Sequence, residues 1–295
     1  MAAPARRAGH AVLVNSAWRS RPERGTRGLK RLIIWLALHA GRRFCRVLLV
    51  PVSAYFVATA PVERRASRAF LTRALGRPAT WRDTWRHLFM FASTVLDRVF
   101  LLHGRHRELD VVVTNAAVFE EAIAAGRGCL LLGSHLGSFE MMGVIGGLER
   151  GLAINMVMHR EDSAVLRDLI AGAGSAVPYK VITLGEPGSM LRVRECLERG
   201  EVVGILADRI YGPEPTRRVP FLGASARFSL SPFRMARITG APVVTVFGLY
   251  HGGRRYEIVF EPLGDAQPEP YVAILEQQVR RAPYNWFNFY DFWSA

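Results

Sequence analysis

Lysine is nearly absent: only Lys30 and Lys180 interrupt a basic complement otherwise made of arginine. Acids are scarce beside it, with 25 acidic against 39 basic side chains and a formal net charge of +14. That balance excludes an acidic surface and calls for an anionic partner: lipid headgroups, nucleic acid, or an acidic carrier or substrate. Cysteine is sparse too. Cys45, Cys129 and Cys196 are far apart and odd in number, which excludes a disulfide framework and any zinc-ligand spacing. They read as small buried hydrophobes in a reducing compartment. No small-residue cleavage site closes the first apolar stretch, no repeat or low-complexity tract is visible, and no apolar run reaches the ~20 residues of an ordinary membrane span.

What is present divides the chain in two. Residues 1–31 are rich in arginine, with Glu23 the one acid among them. Two apolar runs follow, Leu32 to Ala40 and Val47 to Ala60, separated by Gly41-Arg42-Arg43. Joined, they could span a bilayer only by placing Arg42, Arg43 and Arg46 in hydrocarbon, at a cost of about 3 kcal/mol for each central charge. The expectation is therefore a helical hairpin or interfacial helices with snorkelling arginines, the alternatives being a single span or a buried helix pair. Residues 1–62 read as a basic and apolar membrane-associating segment, and 63–295 as the domain that carries the chemistry.

In that domain Glu63 to Gly76 and Trp81 to His103 have helical composition and spacing. An alternation then begins. Strands are predicted at Leu109–Val113, Cys129–Gly133, Ala153–Met158, Val181–Leu184, Val202–Ala207, Pro242–Leu249 and Tyr256–Phe260. Helices are predicted between them, after Asn115, from about Ser138, at Ser163–Ala171, Ser189–Arg199 and Ser231–Thr239. This is the pattern of an α/β fold: a mostly parallel central sheet flanked by helices, with the membrane-associated helices in front. The last ten residues before Ser294 are crowded with aromatics, Tyr284 to Trp293. Such a tail suits either a membrane interface or docking on the core.

The segment Gly133-Ser134-His135-Leu136-Gly137-Ser138-Phe139-Glu140 carries the candidate chemistry. On one continuous helix, residues five apart point about 140° away from each other, since each turns ~100°. If His135 sits in a strand-to-helix turn and Glu140 in the first helical turn, the two can meet. Glu140 would then fix one ring nitrogen and leave the other as a base, the pattern of a base and its orienting acid without a protein nucleophile. Gly137 would admit a substrate close to the backbone, next to Ser138. The plain alternative is a histidine capping its own turn beside an unrelated surface acid.

With that motif the chain resembles the lysophospholipid acyltransferase superfamily, in the branch of bacterial lipid A late acyltransferases. The resemblance rests on His135 to Glu140, Val157-Met158-His159-Arg160, Leu206-Ala207-Asp208-Arg209 and Val219-Pro220-Phe221-Leu222-Gly223. Phe139 stands where those enzymes usually have tryptophan. The resemblance implies acyl transfer from a thioester, on acyl carrier protein or acyl-CoA, to a hydroxyl or amine of a lipid precursor at the cytoplasmic face of a bacterial inner membrane. His135 would be the general base and Glu140 its partner. Arg160 would stabilise the oxyanion, with backbone amides near Gly137 as second choice. Arg209, Arg217 and Arg218 would hold phosphates, Asp208 would orient Arg209 or the acceptor, and His159 would be structural. No cofactor or metal is required. Three rival readings remain. A metal-dependent hydrolase would use His135, Glu140, His159 and Asp208, but lacks a ligand pair at helical spacing. A non-catalytic lipid-binding protein would use the basic N-terminus and aromatic tail. Nucleic-acid binding finds no recognition motif.

Overall fold

The computed structural model describes residues 27–160 and 178–294. The arginine-rich residues 1–26 and the helix predicted over Ser163–Ala171 lie outside the described residues. Its centre is a seven-stranded sheet. The strands are β1 Asp110–Thr114, β2 Cys129–Gly133, β3 Ile154–Met158, β4 Lys180–Thr183, β5 Val202–Leu206, β8 Val243–Gly252 and β9 Arg255–Pro262, in the order β1-β9-β8-β2-β5-β3-β4. Neighbours pair in parallel except β8 with β9, an antiparallel pair turned at Gly252 and Gly253, both at positive φ. This is the expected mostly parallel sheet.

β2 shows why the central strands read as unbroken apolar runs. All five of its residues are buried, because both sheet faces are covered. Side chains alternate between the faces: Leu130 and Leu132 enter one core cluster, Cys129 and Leu131 the other. The second face is covered by α4 Trp81–Leu102, α5 Ala116–Ala124 and α6 Phe139–Glu149. The first is covered by α3 Pro61–Leu75, α7 Ser189–Glu198, α8 Ser231–Thr239 and α9 Pro268–Arg281. α4 begins with a capping box in which Thr80 and Asp83 satisfy each other's backbone amides.

A hairpin and a helix leave little trace in the sequence. Thr216–Phe221 and Ala224–Ser229 form an antiparallel hairpin, β6 and β7, beside the sheet. Arg217, Arg218, Pro220 and Arg227 obscure the alternation a strand usually shows. Helix α9 was hidden by its opening Pro268-Glu269-Pro270, although a proline in the first turn of a helix is well tolerated.

At the N-terminus, α1 Arg27–Ala40 and α2 Arg42–Thr59 seat on α4 through Ile34, Ala37, Cys45, Leu96, Val99 and Phe100. The arginines between the apolar runs do not all snorkel as expected. Arg42 is buried, and its Nε and Nη2 donate to the two Asp97 oxygens at 2.6 and 2.7 Å. Arg46 donates to the Tyr250 hydroxyl. Asp97 is wholly buried and also accepts from the Tyr256 hydroxyl at 2.8 Å, so a carboxylate inside the domain draws the guanidinium inward. No single helix among the described residues is long and apolar enough to cross a membrane, whereas α2 and α3, bent by 98° at their junction, meet that test together. The aromatic tail docks on the core, with Trp286 at 0% exposure. All three cysteines are buried and free.

Candidate active site

The site is assembled by strand register. In the central β2–β5 pair, Gly133 lies opposite Leu206. Each chain continues two residues past that point, to His135 and to Asp208, and the equal offset brings their side chains together. His135 Nδ1 lies 2.8 Å from Asp208 Oδ1, and the His135 backbone amide donates to Oδ2 at 3.0 Å. Asp208 is wholly buried, which by itself would raise its pKa; the charge and hydrogen bonds of His135 and the charge of Arg209 reverse this and hold it at about 2. An ionised Asp208 accepts, so Nδ1 carries the proton and Nε2 keeps its lone pair. Among the described residues Nε2 has no hydrogen-bond partner, and His135 lines a cavity of about 350 Å³.

Glu140 does not occupy the place predicted for it. Its Oε1 pairs with Arg98 Nη2 of α4 at 2.9 Å, and its Oε2 accepts from the Ser138 hydroxyl at 3.4 Å. The acid on the His135 ring is Asp208. Tyr179 lies near this second acid, and burial, then the Glu140 charge, pushes its phenol up. Glu140 and Arg98 both line the cavity.

The turn itself is fully committed to other backbone. Gly137 has φ +78°, and a Cβ there would lie 1.9 Å from the Gly248 carbonyl oxygen. Its amide donates to Asn285 O at 2.8 Å, and that of Ser138 to Gly248 O at 2.8 Å. The glycine is needed for the approach of β8 rather than of a substrate, and these two amides are not free for an oxyanion. Ser138 is buried; Gly137 reaches the cavity wall. Behind the turn, the Tyr271 hydroxyl donates to Gly133 O at 2.7 Å.

Of the arginines singled out by sequence, Arg209 alone lines the cavity. Its Nε donates to Asn288 Oδ1 at 2.9 Å and its Nη2 to Phe287 O at 2.8 Å. Arg160, at the end of the first described stretch, is exposed and outside the cavity lining. Arg217 and Arg218 are exposed on the hairpin, where Arg217 pairs with Glu269 of α9 at 3.1 Å. None of these three lines the cavity that His135 faces. His159 stacks on Tyr211 with ring centroids 3.6 Å apart, and both line the cavity. The other wall is aromatic, built of Phe91 from α4 and Phe287, Phe289 and Tyr290 from the tail. Sequence reasoning missed Arg98, Tyr211 and the tail residues as site components. The run of aromatics was the one available signal, and it did not say where the tail would lie. Among the described residues no group of three histidines, cysteines or acids is placed to hold a metal ion.

Residues 78–294 match the family model of the bacterial lipid A biosynthesis acyltransferases. No curated protein matches the chain.

Proposed function

The chain belongs to the bacterial lipid A biosynthesis acyltransferase family, an enzyme family that transfers acyl groups in lipid biosynthesis, and from that premise we propose that His135 is the general base, oriented by Asp208. The observation that carries this is the buried, ionised Asp208 on Nδ1, which leaves Nε2 at a cavity large enough for a thioester and an acceptor group. Nε2 takes the proton of the acceptor hydroxyl or amine as its oxygen or nitrogen attacks the thioester carbonyl carbon. The new bond forms and the carbonyl oxygen becomes an oxyanion. Collapse breaks the carbon–sulfur bond, and the departing thiolate recovers the proton from the imidazolium. Asp208 stabilises that imidazolium while it lasts.

The oxyanion develops where α6 begins. Gly137, Phe139 and Glu140 line the cavity there, and the dipole of the helix N-terminus favours negative charge. Arg209 adds positive charge on the same wall. Glu140, already neutralised by Arg98, serves as a wall that contacts the acceptor. The donor is an acyl carrier protein or acyl-CoA, the acidic carrier being favoured by the net charge of +14. The acceptor is a lipid precursor at the cytoplasmic face of a bacterial inner membrane. Support for that setting comes from α1 and α2, where Trp35, Phe44, Val47, Leu48 and Tyr55 are exposed, the last four at spacings that share one helix face.

Mass spectrometry of lipids from a deletion strain beside its parent tests this reading. A species lacking one acyl chain, restored by the native gene and not by His135→Ala, is the expected result. An unchanged lipid profile, or full restoration by His135→Ala, would refute it.

A further inference from the structure

We propose that the C-terminal segment Asn285–Asn288 is the positioning element of the His135–Asp208 pair, with the Trp286 indole N–H as its principal contact. The inference rests on the assignment of His135 as base and Asp208 as its partner. It says where the rigidity of that pair comes from.

The segment is laced to the turn that carries His135. Phe287 N–H donates to His135 O at 2.9 Å, Gly137 N–H donates to Asn285 O at 2.8 Å, and Leu136 and Trp286 form an antiparallel bridge. Trp286 Nε1 then donates to Asp208 Oδ2 at 2.9 Å, and Asn288 Nδ2 lies 3.5 Å from the same oxygen. An aspartate carboxylate can swivel about its last torsion. Donors on Oδ2 from Trp286 and from the His135 amide hold Oδ1 against the imidazole. Trp286 is itself immobile. It is fully buried, its ring packs within 5.1 Å of the Phe70, Phe221 and Phe292 centroids, and its carbonyl accepts from His87 Nε2 at 3.0 Å. Asn285 clamps the neighbouring strand through Tyr250 N at 2.6 Å and Tyr250 O at 3.1 Å. The tail therefore does more than cover the core: it aims a donor at the buried carboxylate that faces the base.

Trp286→Phe keeps most of the ring volume and removes the donor. The probes are palmitoyl-CoA and lauroyl-loaded acyl carrier protein, each with a total lipid extract as acceptor. The charged and titratable groups around the pair are Arg209, Tyr271 and Tyr290, with Glu140, Arg98 and His159 on the cavity wall and His87 against the Trp286 carbonyl. None of them is altered by the substitution. Losing one hydrogen bond to a charged group is expected to lower kcat by about tenfold with KM nearly unchanged. It also leaves more negative charge facing the imidazole. The protonated pair is then favoured, and the acid limb of the pH–rate profile moves up by roughly half a pH unit or more. Trp286→His, which restores a ring N–H, is expected to recover part of kcat. If Trp286→Phe does not fold, β-(3-benzothienyl)alanine introduced at position 286 keeps the indole shape and replaces the N–H by sulfur. Native kcat and an unmoved acid limb in either donor-less variant overturn the proposal. So does a lowered kcat with an unmoved limb, since that marks packing alone. The underlying assignment fails separately, through retained activity in His135→Ala and Asp208→Asn.

Discussion

Asp208→Asn removes the charge that faces His135 without changing the size of the side chain. The native separation of Asp208 Oδ1 from His135 Nδ1 is 2.8 Å, with Asp208 wholly buried behind the ring and His135 at the cavity wall. With charge centres about 4 Å apart and an effective dielectric constant of about 20, the carboxylate stabilises an imidazolium by about 4 kcal/mol. That is close to three decades in rate. The amide also sets an N–H₂ group against the N–H donors that converge on Asp208, from the His135 ring and amide, from Trp286 and, at 3.5 Å, from Asn288. Initial rates of transfer from lauroyl-loaded acyl carrier protein into a lipid extract are the assay. The expected result is a kcat lower by roughly 10³ with KM within about twofold. Glu140→Gln is the comparator. Its charge is already met by Arg98 at 2.9 Å and does not touch the ring, so its loss is expected to be nearer tenfold. Asp208→Asn within tenfold of native, or a greater loss from Glu140→Gln than from Asp208→Asn, would show that the acids have been assigned the wrong way round.

Two further outcomes follow from the fold around the site. His87 is wholly buried, and burial pushes its imidazole down to about 4. An unfolded histidine titrates near 6.5, so between about 4 and 6.5 the unfolded chain binds a proton that the folded chain refuses. Stability conferred by a neutral His87 is intact at pH 7 and falls by about 3 kcal/mol as the pH drops through that window. Urea unfolding at pH 7, 5.5 and 4.5 is expected to show a shallower pH slope in His87→Gln than in the native chain, and equal slopes would exclude the effect. Gly137→Ala places a methyl carbon 1.9 Å from the Gly248 carbonyl oxygen, at a φ of +78°. Neither backbone can yield without breaking the Ser138–Gly248 hydrogen bond, so the variant is expected to lose several kcal/mol of stability and all transfer activity. A native-like urea midpoint would contradict this close packing of Gly137 on Gly248.

Much of the sheet was legible because fully buried strands leave unbroken apolar runs. Cys129–Gly133 is predicted and found with the same bounds, as is the helix Ser231–Thr239 closed by Gly240. The hairpin β6–β7 was not legible, because its arginines and Pro220 sit on an exposed ribbon with little apolar alternation. The position of His135 after a buried strand was readable; its partner was not. The five-residue spacing drew attention to Glu140, which is local, whereas the acid on the ring lies 73 positions away in sequence. Spacing reports neighbours along a chain, and a parallel sheet makes neighbours of residues that a crossover separates. Arg98 and Trp286 were invisible for the same reason.

By itself the sequence determined a mostly parallel α/β domain, a histidine at a strand-to-helix turn, and a basic, apolar N-terminal stretch, since hydrophobic periodicity and charge are properties of the local chain. Only the tertiary structure decided which acid orients that histidine. The pairing of Gly133 with Leu206 carries Asp208 to the ring, and the docked tail delivers Trp286 to Asp208. Both depend on strand order and register, which arise from packing across the whole domain and leave no mark in the local pattern of any one segment.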